Sequence, residues 1–100
     1  MLSRDDELIW VAITQRRLIQ FSLHERTRIA EPYDYGVRNG VPQLLVYQIG
    51  GESASGKLPN WRWVVLSEMS ELQVLDPTFR ARARNVPQWD RLFISVGVES

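Results

Sequence analysis

Arg4-Asp5-Asp6-Glu7-Leu8-Ile9-Trp10-Val11-Ala12-Ile13-Thr14-Gln15-Arg16-Arg17-Leu18-Ile19-Gln20-Phe21-Ser22-Leu23 contains a change of hydrophobic period on which the fold class turns. In its first part Leu8, Ile9, Ala12 and Ile13 fall on one helical stripe. Ser3 and Asp6 have capping-box spacing, with Asp in place of the usual Glu or Gln. Asp5, Asp6 and Glu7 stand where a helix N-terminus favours negative charge, and Arg16 and Arg17 where its C-terminus favours positive charge. Together these predict a helix over residues 4–16. The period then becomes two: Ile19, Phe21 and Leu23 alternate with Leu18, Gln20 and Ser22, the pattern of a strand with one buried face.

Short β elements follow outward from this switch. His24-Glu25-Arg26 reads as a connection, and residues 27–31 as a second strand stopped by Pro32. Residues 33–36 read as irregular, and Asn39-Gly40 as a tight hairpin turn. Residues 44–49 form an apolar central strand, and residues 50–60 one long loop of small residues. In the strand at 61–66, Trp61, Trp63 and Val65 share one face and Arg62 and Val64 the other. A turn at 67–69 and a last strand at 71–75 complete the set. One helix and five short strands joined by tight turns predict a mainly β (α+β) domain, closed as a small barrel rather than an open sheet. The domain is expected over residues 1–79, with an Arg-rich C-terminal extension over 80–100. Within the extension Pro87 could open a short helix carrying Trp89, Leu92 and Phe93, and Val96 and Val98 could add a strand to a sheet edge.

The 100 residues are 44% hydrophobic and 24% charged, ordinary for a single soluble globular domain. With no cysteine, disulfide frameworks, cysteine-ligated zinc and thiol nucleophiles are excluded. With His24 the only histidine, a metal site would need carboxylates alone, so neither a metal nor another cofactor is expected. No apolar run approaches the ~20 residues needed to span a bilayer, and the acidic N-terminus is unlike a signal peptide, so a cytoplasmic protein without membrane contact is expected. The net charge is zero, which supplies no global attraction to nucleic acid. Of the 12 basic residues only Lys57 is a lysine; either genome composition or a use for the bidentate guanidinium accounts for the bias.

Several segments, in order, resemble the WYL domain of bacterial regulators. Residues 13–21, Ile-Thr-Gln-Arg-Arg-Leu-Ile-Gln-Phe, are similar to that family's opening helix and strand. Arg28-Ile29-Ala30-Glu31-Pro32 is similar to its Arg-x-x-Glu-Pro segment. Leu44-Leu45-Val46-Tyr47-Gln48 lies at its naming strand, and Trp61-Arg62-Trp63 where the family has an Arg beside an aromatic. A turn at Met69 and a strand ending near Phe79 follow. A compact sub-group is matched best, through Tyr47-Gln48-Ile49-Gly50-Gly51-Glu52-Ser53 and Ser55-Gly56-Lys57-Leu58-Pro59-Asn60-Trp61-Arg62. The resemblance covers about residues 9–79. It departs from the family at the naming tripeptide, here Gln43-Leu44-Leu45, and at Leu23, where a Tyr is usual. The resemblance implies an Sm-like, SH3-like barrel acting as a sensing module, commonly fused behind a DNA-binding helix-turn-helix. The suspected effectors are nucleotides or nucleic-acid fragments. It also implies roles beside DNA-damage or phage-defence proteins. No helix pair precedes residue 17, so this chain is expected not to read operator DNA itself; a separate DNA-binding or defence-system protein and a homodimer are the partners considered.

The candidate site is an anion pocket at Arg28 and Arg62, with Gln48, the Gly50-Gly51 amides and the Ser53 and Ser55 hydroxyls beside it. The plain alternative pairs Arg28 with Glu31 or another acid, and Arg62 with Glu52 or Glu68. Tyr33, Tyr35, Tyr47, Trp61 and Trp63 offer faces for base stacking, or else form core. Arg80, Arg82, Arg84 and Arg91 form a basic stripe that either tracks a phosphate backbone or belongs to a mobile or subunit-contacting tail. Glu25, Glu31 and Asp34 are read as solvated surface, and His24 as a hairpin-turn residue. A phosphate-loop reading of residues 51–57 fails: Leu58 lacks the hydroxyl for magnesium, and Pro59 stands where a helix should begin. With no nucleophile–base pair, the function expected is non-enzymatic: a regulatory ligand-binding domain, or alternatively an SH3-like interaction module anchored by exposed Trp10, Trp61 and Trp89.

Overall fold

A computed structural model of the protein describes residues 3–51, 60–85 and 87–96. The helix predicted from the first period is present as α1, Arg4–Gln15. Its capping box is complete: the Ser3 hydroxyl accepts from the Asp6 amide at 3.2 Å, and the Asp6 carboxylate accepts from the Ser3 amide at 3.1 Å. Arg16 takes a left-handed conformation (φ 53°) and ends the helix. Ile9, Ala12 and Ile13 are its buried face.

Six antiparallel strands follow: β1 Arg17–Leu23, β2 Arg26–Arg38, β3 Val41–Gly51, β4 Asn60–Val65, β5 Met69–Thr78 and β6 Arg91–Ser95. They hydrogen-bond in the order β4-β3-β2-β1-β5, with β6 paired to β2. A 3-10 turn, Leu66–Glu68, joins β4 to β5. Both β1–β2 and β2–β3 connect through two-residue turns with positive φ at each position, His24 (51°) and Glu25 (63°), then Asn39 (55°) and Gly40 (75°). His24 is thus a turn residue, and its Nε2 lies 3.7 Å from the Glu68 carboxylate.

Three expectations are corrected. Pro32 does not stop the second strand. It sits inside β2 opposite Val46, next to a register shift before Asp34, where the ladder tolerates its missing N–H. Residues 33–36 are therefore strand, and the length gained lets β2 pair with β1 at one end and β6 at the other. The strands number six rather than five among the described residues. The sixth replaces the short helix expected after Pro87: Leu92 and Phe93 lie in β6, antiparallel to residues 34–37. Val96 follows that strand, and Val98 lies outside the described residues.

One sheet face joins α1 in the core, with Ile19, Phe21, Ala30, Leu44, Val46 and Val64 buried against Ile9, Ala12 and Ile13. Burial of each such side chain contributes about 1.5–3 kcal/mol. The opposite face carries an aromatic cluster of edge-to-face and tilted contacts: Tyr33–Trp61 at 4.8 Å, Tyr47–Trp61 at 4.9 Å and Tyr33–Phe79 at 5.4 Å between ring centroids. The extension lies over this face, with Trp89 packed on Trp63 at 5.3 Å. Gly36 makes that approach possible, since a Cβ there would stand 2.3 Å from the Arg91 carbonyl oxygen and 2.9 Å from Trp89 Cε3. Among the described residues no helix is long and apolar enough to cross a membrane.

Candidate anion-binding cleft

Arg28 lies in β2 opposite Phe21 of β1 and Gly51 of β3, with only 4% of its surface exposed. Its Nη1 donates to Gln48 Oε1 at 3.3 Å, and its buried Nε has no partner. Gln48, fully buried, donates in turn to the Gly50 carbonyl at 3.1 Å. Neighbouring strand residues point to opposite faces. Arg62 is opposite Val46 and alternates with buried Val64, which puts it on the same face as Gln48 and Arg28. Burial, then the positive charges of Arg62 and Arg26, push the Arg28 pKa down. Leu23, His24, Arg28, Trp61, Arg62 and Trp63 line a cleft of about 430 Å³ between the β1–β2 turn and β4. Gly51, paired with Arg28, has a positive φ (81°); a Cβ there would sit 2.7 Å from the Arg28 Cα. Ser53 and Ser55 lie outside the described residues.

The alternative partner for Arg28 is engaged elsewhere. Glu31, 5% exposed, receives Arg82 Nε at 3.0 Å and Nη2 at 3.4 Å on the opposite face. The Tyr33 hydroxyl donates to Glu31 at 2.9 Å and accepts from the Arg82 amide at 2.9 Å. Burial, chiefly, pushes the Tyr33 phenol up to about 12. The Glu31 hydrogen bond, offset in part by desolvation, holds the Arg82 pKa up. Asp34, with no exposed surface, receives the Arg84 guanidinium and the Ser95 hydroxyl. The reading of Glu31 and Asp34 as solvated surface is therefore corrected, because each meets an arginine of the extension. Glu25, in its turn, is exposed.

The same pairs break up the expected basic stripe. Arg82 stacks over the Tyr47 ring at 4.1 Å and Arg84 over Tyr33 at 4.7 Å, so both lie against the sheet. Arg80 and Arg91 are exposed. Of the predicted site residues, the fold thus brings Arg28, Arg62, Gln48 and Gly51 together and places Tyr47 on the other face. Trp61 serves both sides, packed on Tyr47 and Tyr33 while lining the arginine cleft at the edge strand. Of the three tryptophan anchors expected for an interaction module only Trp10 is exposed, at 38%; Trp61 and Trp89 are half-buried in ring contacts.

The pairs of exposed Arg82 with buried Glu31 and of the buried Arg84 side chain with buried Asp34 are what the sequence left unseen. The signal was the alternation of arginines at 82 and 84, which suits an extended segment lying against β2. Among the described residues no three His, Asp or Glu side chains gather as a metal site. Comparison of the chain with protein-family models, with curated proteins and with solved structures found no match.

Proposed function

We propose that this chain is a non-enzymatic, WYL-like ligand-sensing module that holds a nucleotide or nucleic-acid fragment by a phosphate group at Arg28 and Arg62. The observation that carries the reading is Arg28 itself. A guanidinium this buried, facing no carboxylate among the described residues and repelled by two neighbouring arginines, is an unfavourable arrangement for folding alone. An anion in the cleft would supply the missing countercharge, each charge-assisted hydrogen bond contributing about 1.5–3 kcal/mol. The strand order β4-β3-β2-β1-β5, with a 3-10 turn between β4 and β5, supports the Sm-like or SH3-like barrel in this reading.

Arg28→Met tests it. Labelled single-stranded oligonucleotides and nucleoside monophosphates would be titrated by fluorescence anisotropy and calorimetry, at low and moderate salt. The expected result is loss of binding with stability unchanged or raised, because the substitution removes an uncompensated charge while keeping volume. Binding unchanged in Arg28→Met would overturn the assignment.

A further inference from the structure

A second cleft, of about 340 Å³, lies on the other side of β4, lined by Leu45, Trp61, Trp63, Arg84, Asn85 and Pro87. It shares Trp61 and Trp63 with the arginine cleft, so the two meet around the edge strand. The Arg84 side chain is 6% exposed, and although its Nη2 is held by Asp34 and Ser95, its Nε and Nη1 are buried without any acceptor. Trp63, in turn, packs on Trp89, whose buried Nε1 also lacks an acceptor. We infer that this aromatic cleft is a base subsite: it takes the nucleobase of the ligand whose phosphate sits at Arg28 and Arg62, a step that rests on the function proposed above.

Three features select that chemistry. Trp61 and Trp63 line the cleft with indole rings that suit a planar π system, although the Arg38 guanidinium already lies over the Trp63 ring at 4.0 Å. The unmet donors of Arg84 call for ring acceptors, and a purely apolar occupant would leave them desolvated and unpaired. A second anion is disfavoured because Asp34 already neutralises Arg84. A ligand with an anionic group and an acceptor-bearing ring on one short linker is the class that would engage two clefts sharing Trp61 and Trp63.

The test compares nucleoside 5′-monophosphates, ribose 5-phosphate, inorganic phosphate and a short single-stranded DNA with one abasic position, all on the full chain. Base-bearing ligands are expected to bind roughly 5- to 150-fold more tightly than ribose 5-phosphate or the abasic strand. Trp63→Ala should erase that difference, and Trp63→Phe should restore most of it. A strand binding more tightly than the monophosphates supports a base held within nucleic acid, and equal affinities support a free nucleotide. Equal binding of ribose 5-phosphate and the monophosphates overturns the base subsite but leaves the phosphate cleft standing. No binding of any of these probes overturns both. The ligand comparison uses the native chain, so it decides the matter even where Trp63→Ala fails to fold.

Discussion

Arg84→Met cuts the ion pair that fastens the extension to the sheet. Asp34 has no exposed surface and Arg84 only 6%, so the substitution strands a carboxylate in the interior with the Ser95 hydroxyl as its remaining donor. Removing one partner of such a buried pair costs about 3–5 kcal/mol. A domain of this size holds a total of about 5–15 kcal/mol, so the loss is a large share of stability. Arg84 also covers the Tyr33 ring, which keeps the expected effect at the upper end. Replacing both partners, Asp34→Leu with Arg84→Met, removes the uncompensated charge and should recover most of the loss. Urea unfolding followed by tryptophan fluorescence and far-UV circular dichroism gives the two free energies and, with the Asp34→Leu single variant, a coupling energy. A cost below about 1 kcal/mol for Arg84→Met, the value of an exposed pair, would refute the reasoning. So would a double variant no more stable than either single one.

Gly36→Ala should lift β6 and Trp89, since the new Cβ would stand 2.3 Å from the Arg91 carbonyl; a cost of about 1–3 kcal/mol and faster amide exchange confined to β6 are expected. Ser3→Ala removes the acceptor for the Asp6 amide and should lower stability by about 1 kcal/mol in thermal unfolding, with α1 fraying first. In alkali, Tyr33 and Tyr35 keep their protons in the native state while the unfolded chain releases them near pH 10. Their contribution is therefore complete below pH 10 and is lost as pH rises, up to about 12 for Tyr33, by roughly 3 kcal/mol for that group. Asp6 gives the acid counterpart: its hydrogen bond from Tyr35 holds its pKa below 3.8, so that contribution is present above this pH and fades as pH falls. A flat stability profile between pH 10 and 12 would contradict the buried phenols.

Local chemistry was legible from the sequence. The capping box at Ser3, the switch of period after Arg16, the Asn39-Gly40 turn and the two faces of β4 each depend on residues a few positions apart, and each is present. Of the residues expected at the ligand site, cross-strand pairing places Arg28, Gln48, Gly51 and Arg62 on one face and Tyr47 on the other, and Ser53 and Ser55 lie outside the described residues. The fate of Pro32, Glu31 and Asp34 was not legible. Read alone, a proline ends a strand and a carboxylate seeks water. Pro32 instead lies at a register shift that only the pairing of β2 with β3 creates. Glu31 and Asp34 are buried because Arg82 and Arg84, some fifty residues away in sequence, arrive over them.

The sequence by itself therefore determined the helix, the turns, the alternation within most strands and the absence of thiol chemistry, because these follow from short-range sterics and composition. The tertiary structure alone decided that the added strand runs over Arg91–Ser95 beside β2 and that the described part of the extension covers the aromatic face. It also decided that Arg82 and Arg84 meet Glu31 and Asp34 while Arg28 and Arg62 line a cleft. Charge pairing across a long chain separation depends on where the backbone returns, and no local pattern contains that information. Arg28 and Arg84 look alike in sequence; burial beside Gln48 in one case and Asp34 in the other leaves one without a carboxylate partner among the described residues and makes the other half of an ion pair.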